Sequence, residues 1–146
     1  MADYQFGPSI GEALFPNNVK FEYSRKTGKI RFIYIDDTLL VALRPTDGNF
    51  TLTIAGARRL VNSGVPLGFT VTIIDEVAEF IADGKNVMAK HVCDAGDNIR
   101  PGDEVIIIDS NNQVIGVGKS LFNREEMLSF KVGAAVRTRR GKNKNR

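Results

Sequence analysis

The stretch Asn62-Ser63-Gly64-Val65-Pro66-Leu67-Gly68 gathers turn-forming and helix-breaking residues near the middle of the chain. No regular element runs through it easily, because Pro66 lacks an N–H donor and the glycines favour loop conformations. In a chain of 146 residues this predicts two small modules with a boundary at the breakers. A TIM barrel, at roughly 250 residues, is excluded. With 42% apolar and 25% charged residues, the composition is that of a globular protein and not of a disordered one.

Before the breakers the pattern is mostly strand. From Val19 to Ser24 apolar Val19, Phe21 and Tyr23 alternate with Lys20, Glu22 and Ser24, the signature of a half-buried strand. A Gly-containing turn at Arg25–Lys29 leads into Ile30–Ile35, and Asp36-Asp37 turns the chain into Leu39–Leu43, giving an antiparallel meander. Pro45-Thr46-Asp47-Gly48 is turn chemistry, and Phe50–Thr53 returns as a fourth strand. Ile54, Ala57, Leu60 and Val61 then recur at helical spacing, with Arg58 and Arg59 outside and Gly64 as the stop.

After the breakers Phe69–Ile74 reads as a strand. Asp75 can cap a short helix that turns Val77, Phe80 and Ile81 to one face before Gly84 ends it. Asn86–Val92, Glu104–Asp109 and Val114–Leu121 read as strands, separated by the turns Arg100–Asp103 and Asn111-Asn112. Asn123 and Glu126 have capping-box spacing, which predicts a brief helix through Leu128, and a last strand spans Ala134–Thr138. This module is a small β-barrel or curled sheet carrying short helices, so the fold class is α+β.

Charge is unevenly placed. The last ten residues, RTRRGKNKNR, hold six Lys or Arg and no acid, whereas the rest of the chain has 14 bases against 17 acids. Such a segment attracts the phosphates of nucleic acid, or an anionic membrane surface, or serves as a solvated terminus that aids solubility. A single Cys forms no internal disulfide, which suits a reducing compartment. No apolar run reaches the roughly 20 residues of a membrane-spanning helix, and MADYQFGPSI lacks a basic region followed by an apolar one. The expectation is a cytoplasmic protein with no membrane partner.

The second module, FTVTIIDEVAEFIADGKNVMAKHVCDAGDNIRPGDEVIIIDSNNQVIGVGKSLFNREEMLSFKVGAAVRTRRG, resembles a PUA domain, the RNA-binding module named from pseudouridine synthases and archaeosine transglycosylases. The resemblance rests on the order and spacing of the Asp75–Ile81 helix, Gly84-Lys85-Asn86-Val87, Ile99–Val105, and Gly116-Val117-Gly118 before Met127. ADYQFGPSIGEALFP, the strands after it, and LRPTDGNFTLTIAGARRL are similar to the noncatalytic region preceding PUA in archaeal tRNA-guanine transglycosylases. The resemblance implies a pre-PUA α+β domain at residues 1–68, a PUA domain at 69–140 and a basic tail at 141–146. That enzyme family exchanges bases on a TIM-barrel domain with an aspartate nucleophile and a Cys-rich zinc site. One Cys in 146 residues holds neither, so the resemblance implies a nonenzymatic RNA-binding chain, with no cofactor and no metal.

By the same resemblance the RNA-facing residues are Gly84, Lys85, Asn86, Val87 and Lys90, continued by Arg137, Arg139 and Arg140. Gly84 lets a phosphate or ribose approach, Lys85 adds charge, and Asn86 donates and accepts hydrogen bonds. Gly84 also reads as a helix cap and Val87 as core. Strand alternation places Lys90 opposite Ala89 and His91. Phe69, Phe80, Phe122 and Phe130 read as core, which favours recognition by shape and phosphate contact over base stacking; in the family that element is the tRNA acceptor stem with its CCA end. A separate catalytic subunit of a tRNA-modifying enzyme is the implied partner. The alternative is a protein-interaction module whose N-terminal sheet docks a partner. His91-x-Cys93 lacks the further ligands of a zinc site, Gly116-Val117-Gly118 lacks the third glycine of a dinucleotide loop, and Asp36-Asp37 and Asp75-Glu76 are explained by turn and helix start.

Overall fold

The computed structural model describes residues 20–23, 30–35, 38–43, 50–62, 68–97 and 99–143. The turns expected at Arg25–Lys29, Asp36-Asp37 and Pro45–Gly48, the breakers at 63–67 and the last residues of the basic tail lie outside them. The chain divides into two compact units, Met1–Val65 and Pro66–Arg146.

In the first unit, strands β1 (Lys20–Tyr23), β2 (Ile30–Ile35), β3 (Thr38–Leu43) and β4 (Phe50–Leu52) form an antiparallel meander in sequence order. The register aligns Phe21 with Ile33, Ile33 with Val41, and Val41 with Leu52, so the alternating apolar positions meet in one row. Helix α1 (Ile54–Asn62) follows directly. The Thr53 hydroxyl accepts the Gly56 N–H at 3.1 Å, satisfying one of the first-turn donors. Leu52, Ala57 and Leu60 are buried, as the helical spacing predicts for the last two.

The second unit is a six-stranded sheet. Its strands are β5 (Thr70–Ile73), β6 (Val87–Met88), β7 (Val92–Ala95), β8 (Glu104–Ile108), β9 (Val114–Ser120) and β10 (Ala134–Gly141), in the order β6-β10-β9-β8-β5-β7. The two end strands, β6 and β7, are consecutive in the chain and joined only by a 3-10 turn at Ala89–His91, so the sheet curls until its ends meet in a nearly closed barrel. β5 and β8 pair in parallel, while every other neighbouring pair is antiparallel. The centre is β8, where Val105, Ile106 and Ile107 are fully enclosed together with Val71, Ile73, Val117 and Val136.

The expected strand over Asn86–Val92 is interrupted. Val87 pairs with Val136 of β10, whereas Val92 pairs with Ile73 of β5, and the 3-10 turn carries the chain from one partner to the other. Asp75 departs from its expected role as well. It opens a 3-10 turn (Asp75–Val77) ahead of α2 (Ala78–Ala82) and caps neither with its side chain. Its carboxylate instead accepts the Ser110 N–H at 3.2 Å and the Ser110 hydroxyl at 2.7 Å. α3 (Arg124–Ser129) begins with both bonds of the expected capping box, Glu126 N–H to Asn123 Oδ1 and Asn123 N–H to Glu126 Oε1, each 2.9 Å.

β9 and β10 approach too closely for a side chain at Gly118. A Cβ there would stand 2.3 Å from the Arg137 carbonyl oxygen. The last strand runs on through Gly141, after which Lys142 N–H donates to the Ile115 carbonyl at 2.8 Å and Asn143 N–H to the Ala82 carbonyl at 2.9 Å. Residues 141–143 are therefore hydrogen-bonded into the module.

Candidate nucleic-acid interface

α2 ends in a Schellman motif. Gly84 takes φ 103°, its N–H donates to the Ile81 carbonyl at 2.9 Å, and Lys85 N–H donates to the Phe80 carbonyl at 3.0 Å. An L side chain in this left-handed conformation costs about 1–2 kcal/mol, which accounts for glycine. The motif commonly closes with an apolar contact between the residues at Phe80 and Lys85. Here the second is an exposed lysine and the first is 61% exposed.

The neighbouring residues divide by role. Asn86 Oδ1 accepts the Thr138 N–H at 3.1 Å, so its side chain ties the loop to β10 as well as facing solvent. Val87 is fully buried, which leaves its side chain in the core. Lys90 is exposed on the 3-10 turn between buried Ala89 and half-buried His91; it does not lie on a continuous strand. This corrects the strand placement, and the physical reason is the change of pairing partner between Val87 and Val92.

On β10 the three arginines have different surroundings. Arg137 is exposed and directly opposite exposed Lys119 of β9. The register then slips: Thr138 faces Gly118 and Arg140 faces Val117, leaving Arg139 as the extra residue of a bulge. Arg139 reaches to Glu104 on β8 in a bidentate pair, Nη1 to Oε1 at 2.6 Å and Nη2 to Oε2 at 2.5 Å, with the Glu104 side chain only 4% exposed. Arg140 is half-buried, and its Nη1, like the Thr138 hydroxyl, is enclosed without a hydrogen-bond partner among the described residues. Simple alternation would put Arg137 and Arg139 on one face and Arg140 on the other; the bulge at Arg139 breaks that phase, so the three do not form one regular track.

Among the described residues, no carboxylate stands within ion-pair distance of Lys85, Lys90, Lys119 or Arg137. Other cations are paired: Arg100 with Asp103, and Arg124 with Asp94 and Asp97. Lys119 escapes the sequence reading because a single lysine in an apolar strand carries no signal until the register sets it opposite Arg137. The aromatic expectations also need correction. Phe69 is buried, but Phe80 and Phe130 are 61% and 42% exposed. Phe80 and Ile81 are successive residues of α2, about 100° apart on the helix, and only Ile81 is buried. Phe130 stacks edge-on against Phe122, with ring centroids 4.9 Å apart.

The titrating and soft ligands offer little chemistry. Ser110 holds the Asp75 carboxyl below its ordinary range, through its hydroxyl first and its backbone N–H second. Cys93 is exposed and His91 half-buried, and no three His, Cys, Asp or Glu side chains among the described residues are grouped as metal ligands.

A nearly closed six-stranded barrel, with a glycine-capped helix beside its last strand and, among the described residues, cations without acidic partners there, defines a small β module with a cationic edge. Its class is the PUA fold, and the chain belongs to the PUA domain family, whose model matches residues 69–142. Residues 1–66 match the patch-forming domain C2 of tRNA-guanine transglycosylase.

The tRNA-guanine(15) transglycosylase of Methanothermobacter thermautotrophicus is 42% identical over 141 residues, spanning 97% of this chain and 22% of its own length. That of Thermococcus kodakarensis is 44% identical over 142 residues, spanning 97% and 24%. The chain thus covers less than a quarter of the curated relatives it matches. Among solved structures, a hypothetical protein from Pyrococcus horikoshii superposes with a TM-score of 0.79 at 18% identity, covering 98% of this chain and 86% of that one. A conserved PUA domain protein from Thermoplasma acidophilum gives 0.64 at 23%, covering 78% and 71%. These likenesses establish the fold. No helix among the described residues is long and apolar enough to cross a membrane.

Proposed function

We propose that this chain binds structured RNA linked to tRNA modification, gripping the tRNA acceptor stem and its CCA end without performing base exchange itself. The observation that carries this reading is the exposed strip of Lys85 and Arg137 around the Gly84 cap, with Lys90 on the adjoining turn and no acid paired to any of the three among the described residues. A cap of this kind leaves backbone close to a ligand, and unpaired cations favour phosphate oxygens. The names of the relatives supply the RNA class: they are tRNA-guanine(15) transglycosylases, which are about four times as long as this chain. The aspartate and zinc chemistry of base exchange belongs to their remaining length, so the implied partner is a catalytic region or subunit of that enzyme type, acting in the cytoplasm.

The test is binding of the full chain to tRNA and to tRNA lacking its CCA end across a salt series, beside the Lys85→Ala/Lys90→Ala variant. Each lost phosphate contact should flatten the log–log salt slope by about 0.7–0.9. A double variant that binds tRNA with unchanged slope overturns the reading, and equal affinity for the two RNAs overturns recognition of the CCA end. Ending the chain at Asn143 tests the basic terminus without cutting into β10.

A second reading, a protein-interaction module, draws on exposed Leu128, Phe130 and Val132 at the end of α3. Partner capture that survives nuclease and high salt would favour it over RNA.

A further inference from the structure

Lys119 lies on β9 in line with two other charged positions. The register places it opposite Arg137 on one side and Glu104 on the other, so Glu104, Lys119 and Arg137 form a row across three strands. Directly opposed side chains share a face and are close neighbours. Two like charges opposite one another destabilise a sheet unless a counter-charge balances them. Two acids are near enough in the chain and the sheet to supply it, Glu104 itself and Asp103, whose carbonyl accepts the Ser120 N–H at 2.8 Å.

Both acids are engaged elsewhere. Arg139 holds both oxygens of Glu104 at 2.5 and 2.6 Å. Arg100 donates its N–H to Asp103 Oδ2 at 2.9 Å and sets its Nε 3.7 Å from the same oxygen. The Lys119 stem runs beside the intervening turn, its Cε 3.9 Å from where a Cβ on Gly102 would stand. The result is a lysine and an arginine side by side, both exposed, with the adjacent carboxylates neutralised. The Thr138 N–H bond to Asn86 places the start of this row beside the Gly84–Asn86 loop. Neighbouring strands are about 4.8 Å apart, so the cations step across the sheet at a spacing that suits one phosphodiester between them.

We propose that Lys119 and Arg137 together seat one backbone phosphate of the bound RNA, and that Arg139 is a positioning residue that keeps this seat positive by holding Glu104. The inference rests on the RNA-binding reading above and adds Lys119 and the Glu104–Arg139 pair to it. A side chain that contacts phosphate only through such a pair does not itself touch the RNA; its removal would release Glu104 to compete for Lys119.

The experiment is tRNA binding by the full chain across a salt series, with circular dichroism confirming that each variant is folded at the temperature used. Lys119→Gln is exposed and leaves the core intact. It should change the log–log slope little, because Arg137 still holds the shared phosphate, whereas Lys119→Gln/Arg137→Gln should flatten the slope by about 0.7–0.9. Arg139→Gln should weaken binding, and Glu104→Gln in the same chain should restore it. A merely structural Arg139 would affect thermal stability without this rescue of the slope. If Lys85→Ala/Lys90→Ala flattens the slope while Lys119→Gln/Arg137→Gln does not, the shared seat is wrong and the wider reading stands. If the unaltered chain binds no tRNA, both are wrong.

Discussion

The two helices of the barrel module lie in contrasting electrostatic settings. Around α3, cations and carboxylates are matched: Arg124 reaches Asp94 at 2.9 Å, stands 3.7 Å from Asp97 and donates to the Ala95 carbonyl, while Asn123 and Glu126 close the first turn. Beyond α2, Lys85 has no acid within ion-pair distance among the described residues, and the same holds for Arg137 across the Asn86–Thr138 link. The first arrangement stabilises the module by itself. The second leaves positive charge for something outside the chain to balance, which is how a binding edge differs from a scaffold built of the same residue types.

That contrast is most easily broken by damaging the strand that supports the proposed binding edge. Gly118→Ala would set a Cβ 2.3 Å from the Arg137 carbonyl oxygen and 3.0 Å from the Arg137 carbonyl carbon. Both are backbone atoms in a paired ladder, so the strands must part. Overpacking of this kind costs about 1–3 kcal/mol or more, and each kcal/mol lowers the melting temperature of a module this size by about 4–8 °C. Thermal unfolding of the variant should show that drop together with weakened tRNA binding. A variant with unchanged melting temperature would mean that β9 and β10 have room to separate.

A smaller change sharpens the comparison by affecting one side only. Asn123→Ala removes the side chain that accepts the Glu126 N–H and deprives the Glu126 carboxylate of its reciprocal arrangement at the start of α3. Loss of such a cap costs about 1 kcal/mol. The melting temperature should fall accordingly while the salt slope for tRNA stays that of the unaltered chain. A flattened slope would show that α3 belongs to the RNA surface and that the division between the two helices is false.

What was legible in the sequence follows the same line. Local rules sufficed where neighbours in the chain make the structure: the meander of β1–β4, the burial of Ala57 and Leu60 on α1 and the Asn123–Glu126 capping box are all short-range patterns. They failed where a distant partner decides. The 3-10 turn at Ala89–His91 exists because Val87 and Val92 pair with strands at opposite ends of the sheet, and the role of Arg139 depends on a bulge and on Glu104, 35 residues away. Lys119 became visible only through its register with Arg137. The stop of α2 at Gly84 is legible as a helix-ending glycine, whereas a helical wheel sets Phe80 beside Ile81 on the core face and only Ile81 is buried.

The smallest expected effect concerns Asp75, an acid in the segment leading to α2 that bonds to Ser110 and makes no ion pair among the described residues. Its hydroxyl and N–H donors from Ser110 favour the ionised form and lower the carboxyl from its ordinary value of 3.8. A carboxyl whose folded value lies below its unfolded one adds stability that is complete above the unfolded value and disappears as pH falls through the folded value. Asp75→Asn should therefore melt slightly below the unaltered chain at pH 7, and the gap should close as the pH is lowered from about 4 toward 2. Because Asp75 is exposed, the gap should also be modest. A difference that persisted unchanged to pH 2 would mean that the Ser110 bonds do not depend on the charge of Asp75, and that the acid near α2 is as independent of its surroundings as the lysine beyond it.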